Sequence, residues 1–396
     1  MAQSTPPSIP YGKHSISEDD IQAVINVLRS DFLTQGPVVP AFEQSVANQV
    51  GASHAVAVNS ATSALHVACL ALGLSKGDRL WTTPITFVAS ANCARYCGAD
   101  VDFVDIQPST GLMCTAALRE KLRQAEITNM LPKIVVPVHL AGTSCDMSEI
   151  NKLADDYGFS IVEDASHAIG GIYQGHKVGS CFKSSICIFS FHPVKIITTG
   201  EGGVATTNSS ELAQRMKDLR SHGITKDLPR FLESSPSPWH YEQQDLGFNY
   251  RMTDIQASLG LSQLKRLDLI VKERNQLFEN YRDLLIDLPC DLLTIPQGII
   301  SSVHLAIIKL QDVTAEQHET IFRRLRGSGI GVQLHYTPVH LQPYYRALGF
   351  SSGLFPESEA YAKCAISLPL FPGLERKEQE TIVCILADCL KSIHQS

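Results

Sequence analysis

The stretch FSFHPVKIITTGEGGVATT, residues 189–207, holds a single lysine, Lys195, between an apolar run and a glycine cluster. An amine in such a setting is costly unless something pairs with it or reacts with it. Two other places supply what it would need: the run FSIVED delivers Asp164, and the run AVAVNS leads into Asn59-Ser60-Ala61-Thr62-Ser63, directly before the apolar stretch ALHVACLALGL. A lysine can hold a carbonyl cofactor as a Schiff base, and a carboxylate can keep a pyridine nitrogen protonated so that the ring draws electrons. Together these roles point to pyridoxal 5′-phosphate. Its phosphate needs backbone N–H groups at a helix start, where small residues such as Ala61 let the backbone come close and the hydroxyls of Thr62 and Ser190 add donors. Phe87, at the end of WTTPITF, is placed to cover the ring with an aromatic face.

Such groups converge at the carboxyl ends of strands in a doubly wound sheet. From about residue 40 to 230, helical patterns alternate with the runs AVAVNS, RLWTTP, VDFVDI, KIVVPVHLAG, FSIVEDAS, SICIFSF and GVATTN. These runs are too short for helices and too uniformly apolar for one-sided strands, which predicts an α/β fold whose mostly parallel sheet is covered on both faces. Ahead of it, a helix is predicted over Ser17 to Asp31, with Ser17 and Asp20 as a capping pair and Ile21, Val24, Ile25 and Leu28 in one stripe, broken by LTQGPVVP. Beyond residue 265 the pattern changes to a charged helix from Leu264 to about Leu285, a strand in SSVHLAIIKL, a helix between Thr314 and Gly327, and a last amphipathic helix, KEQETIVCILADCLKSI. The expected division is therefore residues 1–265, an N-terminal segment with the large cofactor-binding domain, and residues 266–396, a smaller α+β domain.

With 44% apolar and 18% charged residues, the 396-residue chain has the composition of a compact globular protein. Its formal charge of −7 and the lack of a long Lys/Arg run argue against nucleic acid. Eleven cysteines without a CxxC pair fit neither a disulfide framework nor a zinc ribbon and read as reduced core thiols. The stretch MAQSTPPSIPYGKH lacks an apolar segment of signal-peptide length, and no run approaches the roughly 18 apolar residues that span a bilayer, so a cytoplasmic protein without a membrane partner is expected. His14, His54 and His139 have no metal-site spacing, and no metal is expected. The GxGxxG of a nicotinamide-binding sheet is absent.

Four motifs then follow in order over nearly the whole chain: TSAL at 62–65, EDASHAIG at 163–170, SFHPVKIITTGEGG at 190–203 and GFNYRMTDIQASLGLSQL at 247–264. In these the chain resembles the DegT-type sugar-nucleotide aminotransferases. The resemblance implies a pyridoxal-phosphate-dependent transferase fold of type I, with a mostly parallel seven-stranded sheet, helices on both faces and a smaller C-terminal domain. It implies that Lys195 bonds the cofactor and then shuttles the proton, that Asp164 pairs with the pyridine nitrogen, and that Thr62 and Ser190 bind phosphate. His167 stands where many relatives have Gln, near the ring hydroxyl. Asn249 would reach the phosphate of the neighbouring subunit, which implies a homodimer with shared sites.

The same resemblance makes L-glutamate the amino donor and a nucleotide-linked 4-keto sugar the acceptor. EDASH and SFH, where other relatives have EDAAQ and SFN, resemble, together with IPYGKHSISEDDI, FLTQGP and NSATSALH, the members that act on a UDP-linked 4-keto-6-deoxy-N-acetylhexosamine in pseudaminic acid biosynthesis. Tyr11, Lys13 and Gln35, with Thr34 and Gly36, are candidates for the nucleotide-sugar pocket, as are His335 and Tyr336; Lys13 or Arg251 would meet the diphosphate. Arg323, Arg324, Arg326 and Arg346 form no evident carboxylate clamp for glutamate. Related dehydratases carry histidine in place of the cofactor lysine, so Lys195 argues against that activity. A non-catalytic regulator is disfavoured because no basic helix-turn-helix is visible.

Overall fold

In a computed structural model, which describes residues 9–233 and 237–394, all seven apolar runs join one sheet. The first eight residues of the stretch read for a leader lie outside the described residues. The strands are β1 (His54–Val58), β2 (Arg79–Thr82), β3 (Asp100–Phe103), β4 (Ile134–Val135), β5 (Ser160–Asp164), β6 (Ile186–Ser190) and β7 (Gly203–Thr207). Their order is β1-β7-β6-β5-β4-β2-β3, with β7 antiparallel to both neighbours and the remaining pairs parallel.

The covered faces explain why these runs are apolar throughout. On β6, Ile186 and Ile188 pack with the core of α3 (Ala61–Ala71) and α4 (Ala89–Tyr96), whereas Cys187 and Phe189 point to the opposite core, built with α2 (Val38–Val50). Alternation of side chains along a strand puts both sets in the dark. Each fully buried Ile or Phe contributes about 1.5–3 kcal/mol relative to an exposed one. The KIVVPVHLAG run yields only a short strand, because Pro137 has no N–H for the ladder.

Before the sheet, α1 (Glu18–Leu28) starts at the expected capping box: Ser17 N–H donates to Asp20 Oδ2 at 2.9 Å. Asp20 is fully buried and also accepts from Gln263 Nε2 at 2.7 Å and Arg266 Nη2 at 2.6 Å, which ties α1 to α5 (Asp254–Leu264). The long helix expected from Leu264 is two helices: α5 ends at Leu264 and α6 (Leu267–Leu284) begins after a turn at Lys265 and Arg266.

A second, antiparallel sheet follows, of β8 (Cys290–Leu292), β9 (Ala306–Leu310) and β10 (Ala365–Leu368) in the order β8-β9-β10. It shares a core with α6, α7 (Ala315–Gly327) and α8 (Arg376–His394). We propose that the division between the two units runs near residue 265, where α5 gives way to α6. The segment before α1 touches both: Ile9 N–H donates to Gly329 O at 3.1 Å, Tyr11 O accepts from Leu370 N at 3.0 Å, and Ser15 O accepts from Gln263 Nε2 at 2.9 Å. Tyr11 thereby lines the same cavity as Asp164 and Ser190, the last residues of β5 and β6.

Candidate active site

Asp164 closes β5 and is buried, so its carboxylate needs donors. Two are in place. Ser166 N–H donates to Oδ1 at 3.1 Å, and the Oγ of the fully buried Ser90, on α4, donates to Oδ2 at 2.6 Å. Ser90 in turn meets Thr86 Oγ1 at 2.6 Å.

Lys195 follows β6 in a turn held by its own N–H donating to His192 O at 2.9 Å. Its side chain is half-buried beside Asp164, and its Nζ has no hydrogen-bond or ion-pair partner among the described residues. Burial pushes the ammonium down from 10.5 to about 8, with the Asp164 charge pulling the other way. The glycine cluster after it shapes the turn into β7. Gly200 sits at φ +80°, and a Cβ on Gly203 would lie 2.5 Å from Ala61 N.

That close approach belongs to the anion cradle. Ser60 caps α3 in extended conformation, and its Oγ accepts from Ser63 N at 3.1 Å. The N–H groups of Ala61 and Thr62, in the first turn, have no carbonyl within their own helix to bond. Ser63 Oγ donates to Asn59 Oδ1 at 2.6 Å and shapes the loop before them.

These groups open into one cavity of about 690 Å³. Of the expected residues, Ala61, Thr62, Phe87, Asp164, His167, Ser190, Lys195, Tyr11, His335 and Tyr336 line it, and Phe87 stands at its mouth, 59% exposed. Lys13, Gln35 and Asn249 do not. Lys13 is exposed and borders a small recess on another side of Lys195; Gln35 is exposed at φ +54°, next to Gly36, whose N–H donates to Asp254 Oδ2 at 2.6 Å; Asn249 is exposed beyond the cavity.

Histidines form the far wall. His167 is buried, with Tyr336 Oη 3.1 Å from Nε2 and the His304 ring 4.5 Å away. Burial, then the charges of Lys195 and His335, push His167 well below the usual histidine range. His335 is pushed to about 4 by burial and then by Lys195; its Nδ1 lies 2.7 Å from Ser367 Oγ, and Tyr11 packs 5.8 Å from its ring. His167 and His335 therefore stay neutral near pH 7, which leaves Lys195 beside Asp164 in the cavity.

Sequence reasoning passed over Ser90, Thr86 and His304. Ser90 and Thr86 stand four apart in TFVAS, a spacing that puts two hydroxyls on one side of a helix start, and His304 is a polar residue directly before an apolar strand. Both signals were present. Among the described residues, no cluster of His, Cys, Asp and Glu could hold a metal ion, and no helix is long and apolar enough to cross a membrane.

The DegT/DnrJ/EryC1/StrS aminotransferase family matches residues 14–387. The UDP-4-amino-4,6-dideoxy-N-acetyl-β-L-altrosamine transaminase of Campylobacter jejuni is 35% identical over 97% of this chain and 98% of its own. The UDP-4-amino-4-deoxy-L-arabinose–oxoglutarate aminotransferase of Shewanella sediminis is also 35% identical, over 96% of this chain and 97% of its own. Among solved structures, Helicobacter pylori PseC, an aminotransferase involved in the biosynthesis of pseudaminic acid, is similar with a TM-score of 0.88 and 32% identity, covering 97% of this chain and 99% of that one.

Proposed function

We propose that this chain, which belongs to the DegT/DnrJ/EryC1/StrS aminotransferase family, moves the amino group of L-glutamate to C4 of a UDP-linked 4-keto-6-deoxy-N-acetylhexosamine, giving UDP-4-amino-4,6-dideoxy-N-acetyl-β-L-altrosamine and 2-oxoglutarate. The chain is a pyridoxal-phosphate-dependent aminotransferase of sugars. The observation that carries the reading is Lys195: an amine with no partner among the described residues, beside a buried carboxylate held by two donors, in a cavity that opens on a helix N-terminus.

The residues present fit the cofactor. Lys195 Nζ is free for the aldehyde, the N–H groups of Ala61 and Thr62 with the Ser190 hydroxyl suit a phosphate, and Nδ1 of His167 is a buried nitrogen with no partner. When bound, pyridoxal phosphate supplies the carbonyl that takes up nitrogen and the ring that accepts electrons as a proton leaves carbon. Lys195, pushed down to about 8 by burial, gives up its proton near neutral pH far more readily than an ordinary lysine. It can therefore both attack as an amine and carry a proton between carbon atoms at Nζ. Asp164, held by Ser90 and Ser166, would pair with the pyridine nitrogen. Phe87 covers the mouth and excludes water from one face.

The acceptor rests on the likeness to the Campylobacter jejuni transaminase and to PseC. An equal identity to the arabinose enzyme supports a second reading, a UDP-linked 4-keto pentose. A homodimer fits the exposed apolar side chains of Trp239 and Leu246, 81% and 77% exposed, the second three residues before the exposed Asn249; a cytoplasmic location is part of the same reading. In it, Asn249 would serve the neighbouring subunit's phosphate, and Lys13, Gln35 and Arg251 would meet the nucleotide. Incubation with glutamate and each UDP-4-keto sugar, following 2-oxoglutarate, tests the assignment. Release with the N-acetylhexosamine substrate is expected. Release only with the pentose would replace the first reading by the second, and none with either would remove both.

A further inference from the structure

Tyr336 was expected to touch the substrate, yet its hydroxyl is taken up within the protein. It lies 3.1 Å from His167 Nε2, and the two rings are nearly parallel, 20° apart with centroids at 6.2 Å. The other nitrogen of His167, Nδ1, is buried and has no hydrogen-bond partner among the described residues. His304 packs against the same imidazole at 4.5 Å, so the ring is gripped from two sides. His304 is itself fixed by the backbone: its N–H donates to Ala141 O at 2.8 Å, and the fully buried Arg274 donates to its carbonyl at 3.3 Å.

A neutral imidazole carries one N–H, and whatever bonds to one nitrogen decides which nitrogen holds it. His167 is neutral here, for its pKa is pushed down by burial, by Lys195 and by His335. Tyr336 keeps its proton, because burial and then the charges of Asp164 and Tyr11 push its pKa up. A protonated tyrosine can donate to Nε2, and where it does the ring proton sits on Nδ1. The cofactor presents three polar edges: a phosphate, a ring nitrogen and a phenolic oxygen beside the aldehyde carbon. The α3 cradle and Asp164 account for the first two, and the third, an anionic acceptor, needs an N–H.

We propose that Tyr336 is a positioning residue: by donating to Nε2 it locks His167 in its Nδ1–H tautomer and so makes that buried nitrogen the donor to the phenolic oxygen of the cofactor. This rests on the pyridoxal phosphate reading and adds to it what the histidine in EDASH requires, since a glutamine amide can present its N–H without a second residue to set a tautomer.

The test compares wild type, Tyr336→Phe, His167→Gln and the double variant, each loaded with pyridoxal phosphate. The readouts are the pH midpoint of the visible absorbance band, the dissociation constant of the cofactor, and kcat and KM for the sugar. Losing a donor leaves the phenolic charge unshared, so Tyr336→Phe is expected to raise the midpoint, weaken cofactor binding by about fivefold, the size of one hydrogen bond, and lower kcat with little change in KM. In the His167→Gln background the same change is expected to leave midpoint and affinity unaltered, because its effect passes through the histidine. If Tyr336→Phe raises only KM, the tyrosine is a substrate contact and the proposal is wrong. Equal shifts in both backgrounds also overturn it. Should the phenylalanine variant not fold, 3-fluorotyrosine at 336, a stronger donor of nearly the same volume, is expected to move the midpoint downward, and an unmoved midpoint would count against the proposal. Wild type that develops no visible band with the cofactor would instead sink the underlying reading.

Discussion

Replacing Ser90 by alanine removes one hydroxyl that never meets substrate. It deletes the 2.6 Å hydrogen bond to Asp164 Oδ2 and leaves the 3.1 Å bond from Ser166 N–H to Oδ1. Hydrogen bonds to ionised groups contribute about 1.5–3 kcal/mol, and Ser90 is fully buried, so the hole frees less than the ~30 Å³ a water occupies and solvent does not replace the lost donor. If that support is needed whenever the carboxylate faces a protonated ring nitrogen, the half-reaction with glutamate slows by about 10- to 150-fold, at 1.36 kcal/mol per tenfold. Rapid mixing of Ser90→Ala holoenzyme with L-glutamate, following loss of the visible band, measures this directly. Ser90→Thr, which keeps the hydroxyl, is expected to recover most of the rate, and Asp164→Asn sets the floor. A rate for Ser90→Ala within twofold of wild type, beside an Asp164→Asn rate more than a hundredfold down, would refute the claim that Ser90 acts through the acid.

Three further outcomes are expected. Because Lys195 loses its proton near pH 8 in the folded chain and near 10.5 when free, the unfolded chain binds more protons between those values, so cofactor-free protein gains stability as pH rises through that window; below it the full penalty, up to about 3 kcal/mol, is present. Urea titration of cofactor-free Lys195→Met is therefore expected to show a higher midpoint than wild type at pH 7 and a narrowing gap by pH 10, and a constant gap would contradict the burial argument. Gly203→Ala sets a Cβ 2.5 Å from Ala61 N and the Ser60 carbonyl carbon, which the backbone can relieve only by shifting the start of α3; a loss of about 1–3 kcal/mol in stability, together with weaker cofactor binding, is expected from overpacking, and calorimetry with a cofactor titration would show it. Mixing inactive Lys195→Ala with weakened Asn249→Ala protein restores activity if each site draws on two subunits, since a mixed dimer then has one intact site; no recovery after subunit exchange would mean that Asn249 serves its own chain or none.

The sheet was legible because burial on both faces leaves a strong trace: each of the seven uniformly apolar runs became a strand of it. Positions of single groups were legible only where a strand end delivers them, as at Asp164, Ser190 and the turn before α3. Ser90 was not tied to the acid, because it lies 74 residues from the carboxylate it supports: its spacing from Thr86 marks a pair of hydroxyls but not their partner. Lys13 and Gln35 were named by resemblance alone, and in the single chain they stay outside the cavity. The Tyr336–His167 contact spans 169 residues, joining a loop of the smaller unit to a turn of the large sheet, a pairing that no local pattern encodes.

The dipeptide Glu163-Asp164 shows what the fold adds to an adjacent pair of acids. On a strand, neighbours point to opposite faces. Asp164 shares its side of β5 with Val162, which packs in the core of α3 and α4, and there it finds Ser90. Glu163 therefore faces the other way, where it meets the fully buried His139 Nε2 at 2.7 Å and accepts from Ser184 Oγ at 2.5 Å. His139 returns to the same strand through its backbone N–H, which donates to Asp164 O at 3.0 Å. One acid thus holds the end of β5 from behind while the other works in front. Which of the two does which is decided by parity with Val162, and a one-residue slip in register would exchange the proposed cofactor partner for the side chain that meets His139.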